Sequence, residues 1–234
     1  MVHNEIRENI ARLRGRIEAA AQRAGRDPAE ITLIAVSKTK PVEMIYEAYR
    51  SGVAAFGENY AQELCEKYNE LNESGLKDVE WHMIGHIQTN KVRQIIGKTK
   101  LIHSLDSLRL AAEIQRFAEK TGETVNTLIE VNVAREYTKQ GFYPEETRNA
   151  VEAVAAHKNV KVLGLMTSAP LTDDPESNRV YFRRLRELYI DIKENCIHNY
   201  DMCFLSMGMS GDFEVAIEEG ATMLRIGTAI FGRR

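Results

Sequence analysis

The sequence predicts an α/β protein: a single (β/α)8 TIM barrel of parallel strands, with one extra helix ahead of the first strand. Three observations carry this. Short apolar, β-rich runs recur along the 234 residues, and stretches of helical periodicity separate them. Eight such runs are legible, and strands separated by helices pair in parallel through right-handed crossovers. The length is close to the ~250 residues typical of such barrels. The competing architecture is an open doubly wound sheet, which normally has fewer strands and a glycine-rich first turn. Here Ser37-Lys38-Thr39-Lys40-Pro41 follows the first strand, with neither GxGxxG nor GxxxxGK[ST].

The elements follow in order. Ile6, Ile10, Leu13, Ile17 and Ala21 recur at three- and four-residue steps, an amphipathic helix ending near Gly25. Residues 31–36 are a nearly continuous apolar run suited to a strand buried on both faces. Pro41 fits a first helical turn, and 42–51 reads as a helix closed by Gly52. Further strands are expected at 54–56, 81–84, 101–103, 127–133, 160–166, 202–205 and 223–226. Helices are expected at 62–72, 90–96, 108–121, 144–156, 176–196 and 211–219. Residues 227–234 are too few for a full eighth helix, so the N-terminal helix is expected to fill that gap in the outer ring. No Pro/Gly/Ser-rich linker divides the chain, and 1–234 is expected to be one domain.

Composition narrows the function. Hydrophobic residues at 44% and charged residues at 28% suffice for a full core. The 31 Lys and Arg nearly cancel the 34 Asp and Glu, so the basic excess of a nucleic-acid binder is missing. Cys65, Cys196 and Cys203 are dispersed, without a CxxC pair, which argues against a zinc knuckle or a disulfide framework. No apolar run approaches a membrane span, and the N-terminus lacks a signal-peptide stretch. A cytoplasmic protein without membrane or nucleic-acid partners is expected.

Barrel enzymes place their chemistry at the C-terminal ends of the strands. Those ends carry Ser37-Lys38, Glu58-Asn59, Gly85-His86, Ser104, Asp106, Asn132, Thr167-Ser168, 206–210 and Gly227-Thr228. Lys38 is either a solvated strand-end lysine or a desolvated amine suited to carbonyl chemistry. Ser206, Gly208, Ser210 and Gly227-Thr228 supply small residues where barrels often hold phosphate; the alternative is an N-cap at Ser210 and a turn at Gly227. Arg225, within strand eight, points either inward to a ligand or outward to a carboxylate such as Glu218. His82 is read as a core histidine, since HMIGH lacks the glutamate of HExxH. Arg179, Arg183, Arg184 and Arg186 are read as a solvated helix face balanced by Glu176 and Glu187.

Several strings extend the picture. AVSKTKP (35–41), FGENY (56–60), WHMIGHIQTNK (81–91), GLMT (164–167), LSMGMSGDF (205–213) and RIGTAIFG (225–232) resemble the pyridoxal phosphate homeostasis proteins. The resemblance runs over nearly the whole chain. It implies a barrel like the N-terminal domain of alanine racemase, with pyridoxal 5′-phosphate held as a Schiff base on Lys38. It further implies phosphate contacts from Ser206, Ser210 and the Gly227-Thr228 amides, and Arg225 facing the pyridine nitrogen. Asn59, His86 and Met207 would line the same site, with no metal. Ser168 departs from the methionine expected before Ala169-Pro170. Alanine racemase adds a second domain and a catalytic tyrosine. This sequence stops soon after the phosphate loop, so a monomeric cofactor carrier without catalytic turnover is expected, with pyridoxal-phosphate-dependent apoenzymes as possible recipients. The alternatives are an amino-acid racemase and a barrel holding another phosphorylated metabolite.

Overall fold

The computed structural model describes residues 2–195 and 201–232, so Cys196 and Arg234 lie outside the described residues. Eight parallel strands close into a barrel in sequence order. They are β1 (Thr32–Val36), β2 (Ala55–Glu58), β3 (Glu80–Met83), β4 (Leu101–Leu105), β5 (Val125–Glu130), β6 (Val160–Met166), β7 (Phe204–Ser206) and β8 (Met223–Ile226). The helices are α1 (Val2–Arg23), α2 (Val42–Arg50), α3 (Ala61–Glu73), α4 (Val92–Ile95), α5 (Leu108–Thr121), α6 (Pro144–Ala155), α7 (Arg179–Glu194), α8 (Phe213–Glu218) and α9 (Thr228–Phe231).

Successive strand side chains point to opposite faces, so register decides what enters the barrel. Ile34 on β1 pairs with Ala55 on one side and Arg225 on the other, closing the seam. Gly57 is level with His82, and His82 with Leu101. Met166 is level with Ser206, and Ser206 with Met223. The interior is therefore mixed. Ile34, Ala55, Leu101, Leu128, Met166 and Met223 form a small apolar cluster, while His82, His103, Ser206 and Arg225 are also buried. The alternate positions Ala35, Phe56, Trp81, Ile102, Leu224 and Ile226 join the larger core shared with the helices.

Helix α9 is one turn, and α1 packs against α8, α9 and α2, filling the gap in the outer ring as expected. Ile6, Ile10, Leu13 and Ile17 are buried on that face, each worth roughly 1.5–3 kcal/mol as removed apolar surface. Arg16 and Arg23 pair with Glu214 and Glu218 on α8, and the Asn9 amide donates to the Ile230 carbonyl.

Some boundaries move. Strand β2 runs on through Gly57 and Glu58, β4 through Ser104 and Leu105, and β5 ends at Glu130, with Val131 left in an isolated bridge to Phe142. The expected helix at 90–96 is split into a 3-10 turn (Thr89–Lys91) and α4. The arginines of α7 do more than face solvent. Arg179 pairs with Glu176, Glu218 and Glu219, and Arg183 with Glu219, tying α7 to α8.

Candidate functional site

A cavity of about 340 Å³ opens at the C-terminal ends of the strands. Its walls include Lys38 after β1, Asn59 after β2, Met209 and Ser210 after β7, Arg225 on β8, and Gly227-Thr228 beyond it. Barrel closure brings the first and last strands side by side, which is why residues far apart in sequence share this space.

On the β1 side, the backbone around Lys38 is held by charge. Lys67 of α3 is buried and donates to the Ser37 carbonyl at 2.7 Å, to Glu58 Oε1 at 2.8 Å and to Glu63 Oε1 at 2.7 Å. The Ser37 hydroxyl donates to Glu58 Oε1 at 2.6 Å. Burial pushes the Glu58 carboxyl up, while the Lys67 ammonium and the Ser37 hydroxyl pull it back. Lys38 itself makes no hydrogen bond or ion pair among the described residues. Its neighbour Lys40 instead donates to the carbonyls of Phe231 and Gly232.

On the β8 side, Arg225 points inward, not toward Glu218, which pairs with Arg23 and Arg179. Its guanidinium donates to Ser206 Oγ at 2.6 Å and to the Thr167 carbonyl at 2.7 Å, with Ser168 Oγ at 3.4 Å. Burial lowers it to about 10, so it remains a cation at neutral pH. Ser206 Oγ is 2.8 Å from His103 Nδ1, and His103 Nε2 is 2.8 Å from His82 Nδ1. Arg225 can only donate, so Ser206 Oγ accepts from it, and the directions of the Ser206–His103 and His103–His82 contacts follow the tautomers of the two rings. Among the described residues, His82 Nε2 is buried without a partner. Burial lowers His82 to about 4 and His103 well below its usual value, so both rings are neutral.

The loop after β7 supplies a third wall. The backbone N–H groups of Ser210 and Gly211 make no hydrogen bond among the described residues, and open space adjoins the Gly211 Cα. The Ser210 hydroxyl accepts from the Ala229 amide at 3.3 Å. Helix α8 begins at Phe213, so these amides belong to the preceding turn, not to the first helical turn that the sequence suggested. Asp212 lines the cavity, but its carboxylate oxygens accept from the Met209 amide at 2.7 Å and from the Asn178 amide at 2.8 Å. Gly208 is required here. Its φ is +91°, and a Cβ would lie 2.6 Å from Ala216 Cβ.

Of the residues singled out from sequence, Lys38, Asn59, Ser210, Arg225, Gly227 and Thr228 converge on the cavity. Three others lie elsewhere. Ser206 is fully buried behind Arg225. Met207 is in the core, its N–H on the Met223 carbonyl, and Met209 takes the wall position instead. His86 borders a neighbouring depression of about 1060 Å³ that shares Asn59, and its Nδ1 lies 2.5 Å from Asp106 Oδ2. Glu130, at the end of β5, is pushed up to about 7 by burial and by Asp106, against the pull of Arg225. His82 is a core histidine, 2% exposed. Sequence reasoning missed Lys67, Glu63, His103 and Met209. Lys67 had a signal, since it falls on the apolar stripe of α3 with Leu64 and Leu71.

A free primary amine, a guanidinium and unfilled amides around one small cavity suit a ligand bearing both a carbonyl and an anionic group. The fold and this site define a class, the barrels of alanine racemase type: the model of the alanine racemase N-terminal domain family matches residues 6–234. The pyridoxal phosphate homeostasis protein of Aquifex aeolicus is 49% identical over 227 residues, covering 97% of each chain. The chain belongs to the pyridoxal phosphate homeostasis protein family within that class. The structure of PipY from Synechococcus elongatus with pyridoxal phosphate bound is similar at a TM-score of 0.83 and 33% identity, over 97% of this chain and 100% of that one. An alanine racemase from Clostridium difficile shares the fold at a TM-score of 0.74 and 16% identity; the match covers 99% of this chain and 56% of the racemase. No described helix is long and apolar enough to cross a membrane.

Proposed function

We propose that this chain, as one barrel over 1–234, binds pyridoxal 5′-phosphate through Lys38 and keeps it available to the cell as a monomeric, cytoplasmic, non-catalytic carrier. The observation that carries the reading is the Lys38 amine, without a partner among the described residues, which shares a small cavity with Arg225 and with the amides of Ser210 and Gly211, likewise unfilled among those residues. The names of the relatives and the ligand of PipY support it. Recipients would be apoenzymes that use the same cofactor.

The donor set fits this group. When bound, pyridoxal phosphate supplies an aldehyde that condenses with a primary amine, releasing one water, and a pyridine ring that withdraws electrons. Lys38 would provide the amine. The amides of Ser210 and Gly211 and the Thr228 hydroxyl would hold the phosphate. Arg225 would donate to the ring nitrogen; a guanidinium cannot give up its proton at neutral pH, so the nitrogen stays unprotonated and the ring is a weaker electron sink. Ser206 would act from behind, fixing Arg225 rather than touching phosphate. Among the described lining residues the titratable groups are Lys38, Asp212 and Arg225, and Asp212 is already committed to two donors.

Absorbance spectra before and after borohydride, followed by peptide mapping, test the reading. The label is expected on Lys38, and Lys38→Ala should lose it there completely. Label distributed over other lysines of the wild type, with none at Lys38, would sink the assignment. Sustained inversion of single amino-acid enantiomers would replace the carrier reading with a racemase.

A further inference from the structure

We propose that Lys67 and Glu63 form a positioning clamp for Lys38, gripping the backbone on both sides of it so that its amine is delivered unpaired into the cavity. The inference rests on Lys38 being the attachment point.

The clamp is built from three charged groups on two elements. Lys67 spends its three N–H donors on the Ser37 carbonyl, Glu58 and Glu63, all within 2.8 Å. Glu58, itself 0% exposed, returns to the same residue by accepting from the Ser37 hydroxyl. Glu63 reaches past Lys38 and accepts from the Thr39 amide at 2.5 Å. The residue before Lys38 is thus held by its carbonyl and its hydroxyl, and the residue after it by its N–H.

Thr39 shows what the grip enforces. Its φ is +60°, in the left-handed region that a β-branched residue enters only when its surroundings hold it there. The Thr39 N–H finds its acceptor on the side chain of Glu63, and Lys67 fixes that side chain in turn. Elsewhere in the described chain Arg135 also has positive φ, at 56°, in an exposed loop. A buried lysine with both partners charged is costly to assemble and strongly destabilising to break halfway, the pattern of a group kept for geometry. The ammonium of Lys67 also engages one oxygen, Oε1, of each of Glu58 and Glu63, while Glu58 Oε2 is buried without a partner among the described residues. An unengaged Glu58 or Glu63 would be an alternative partner for the Lys38 amine, and an amine held in an ion pair is withdrawn from carbonyl chemistry.

The test uses the full chain and two readouts. The first is hydrogen exchange at the Thr39 amide in cofactor-free protein; the second is the rate at which Lys38 becomes borohydride-trappable with added pyridoxal phosphate. Glu63→Ala leaves buried Lys67 one carboxylate short, so some loss of melting temperature is expected, and both readouts are taken well below the transition and compared with Glu63→Gln. We expect at least about tenfold faster exchange at Thr39 and about tenfold slower trapping, the loss of one charge-assisted hydrogen bond. Glu63→Gln retains an acceptor oxygen and should restore both. The paired change Lys67→Met with Glu58→Gln removes the buried charges together and should slow trapping while the fold persists. Wild-type exchange at Thr39 in Glu63→Ala, or unchanged trapping in both variants, overturns the clamp. Failure of the functional reading looks different: trapping would be missing from Lys38 in the wild type, while Thr39 exchange would still respond to Glu63→Ala.

Discussion

The two walls of the cavity are built on opposite principles. Behind Lys38, every hydrogen of the Lys67 ammonium is used, and the network closes on itself through Ser37, Glu58 and Glu63. Across the cavity, Arg225 leans on a chain of neutral groups, and the Ser210 and Gly211 amides are left unfilled. A covalent attachment point needs one fixed position, which ion pairs supply. A non-covalent end needs donors still to be satisfied, because binding an anion is favourable only where the protein has not already bound its own donors. On one wall every donor of Lys67 is engaged and Lys38 is left unpaired, although Glu58 Oε2 is buried without a partner among the described residues; on the other wall amide donors stay open for a ligand.

The contrast can be broken from the unsaturated side first. Gly208→Ala places a Cβ 2.6 Å from Ala216 and asks alanine to adopt φ +91°. A cost of about 2–3 kcal/mol is expected, a drop of roughly 5–10 °C for a domain of this size. Pyridoxal phosphate should be retained less tightly although Lys38 remains the labelled residue, and calorimetry with borohydride mapping checks both. A variant as stable as wild type with unchanged retention would show that the loop tolerates rebuilding.

A smaller effect is expected from Arg225→Ala. Attachment at Lys38 should survive, with the absorbance maximum shifted and retention about tenfold weaker, equivalent to about 1.4 kcal/mol. An unchanged spectrum would argue that Arg225 does not face the ring.

The smallest concerns pH. The Glu130 carboxyl titrates at about 7 in the fold, against 4.5 unfolded. Between these values the native state holds a proton that the unfolded chain has released, so this group's contribution falls as pH rises through 7. His82, at about 4 against 6.5, works the other way, and its contribution is lost as pH falls from 6.5 toward 4. Glu130→Gln should therefore raise the melting temperature at pH 8 by about 2–4 °C, on the order of 1 kcal/mol after allowing for partial exposure, and change little at pH 4.5. Equal shifts at both pH values would assign the effect to packing.

Much of the fold was legible because a strand buried on both faces announces itself as an apolar run, as residues 31–36 do. The helix that completes the ring was readable from Ile6, Ile10, Leu13 and Ile17. Boundaries failed where the end of a strand buries a polar residue between the barrel and the surrounding layer. Glu58 and Ser104 read as rim loops because burial of a carboxylate or hydroxyl depends on a partner that sequence does not display: Lys67 for one, the Gly85 carbonyl for the other. In the site, Lys38 and Arg225 were visible as charges abutting apolar strands. The chain from Arg225 through Ser206 to His103 and His82 was not, because it joins four strands through the interior and only register reveals it. For the same reason the position after Ser206 was taken for a wall residue. Met207 turns into the core, and Gly208, in its left-handed conformation, carries the chain on to Met209.

The seam between β1 and β8 also bears on the life of the chain before it is folded. Lys38 is synthesised early and Arg225 late, and they become neighbours only when the last strand docks beside the first. An aldehyde phosphate that draws on both would be held more tightly by the completed ring than by any shorter nascent intermediate. Bound across that junction, it would oppose the separation of the two strands that opening the barrel requires, and the occupied protein would unfold more slowly than the empty one. Cofactor occupancy would then report closure as well as supply.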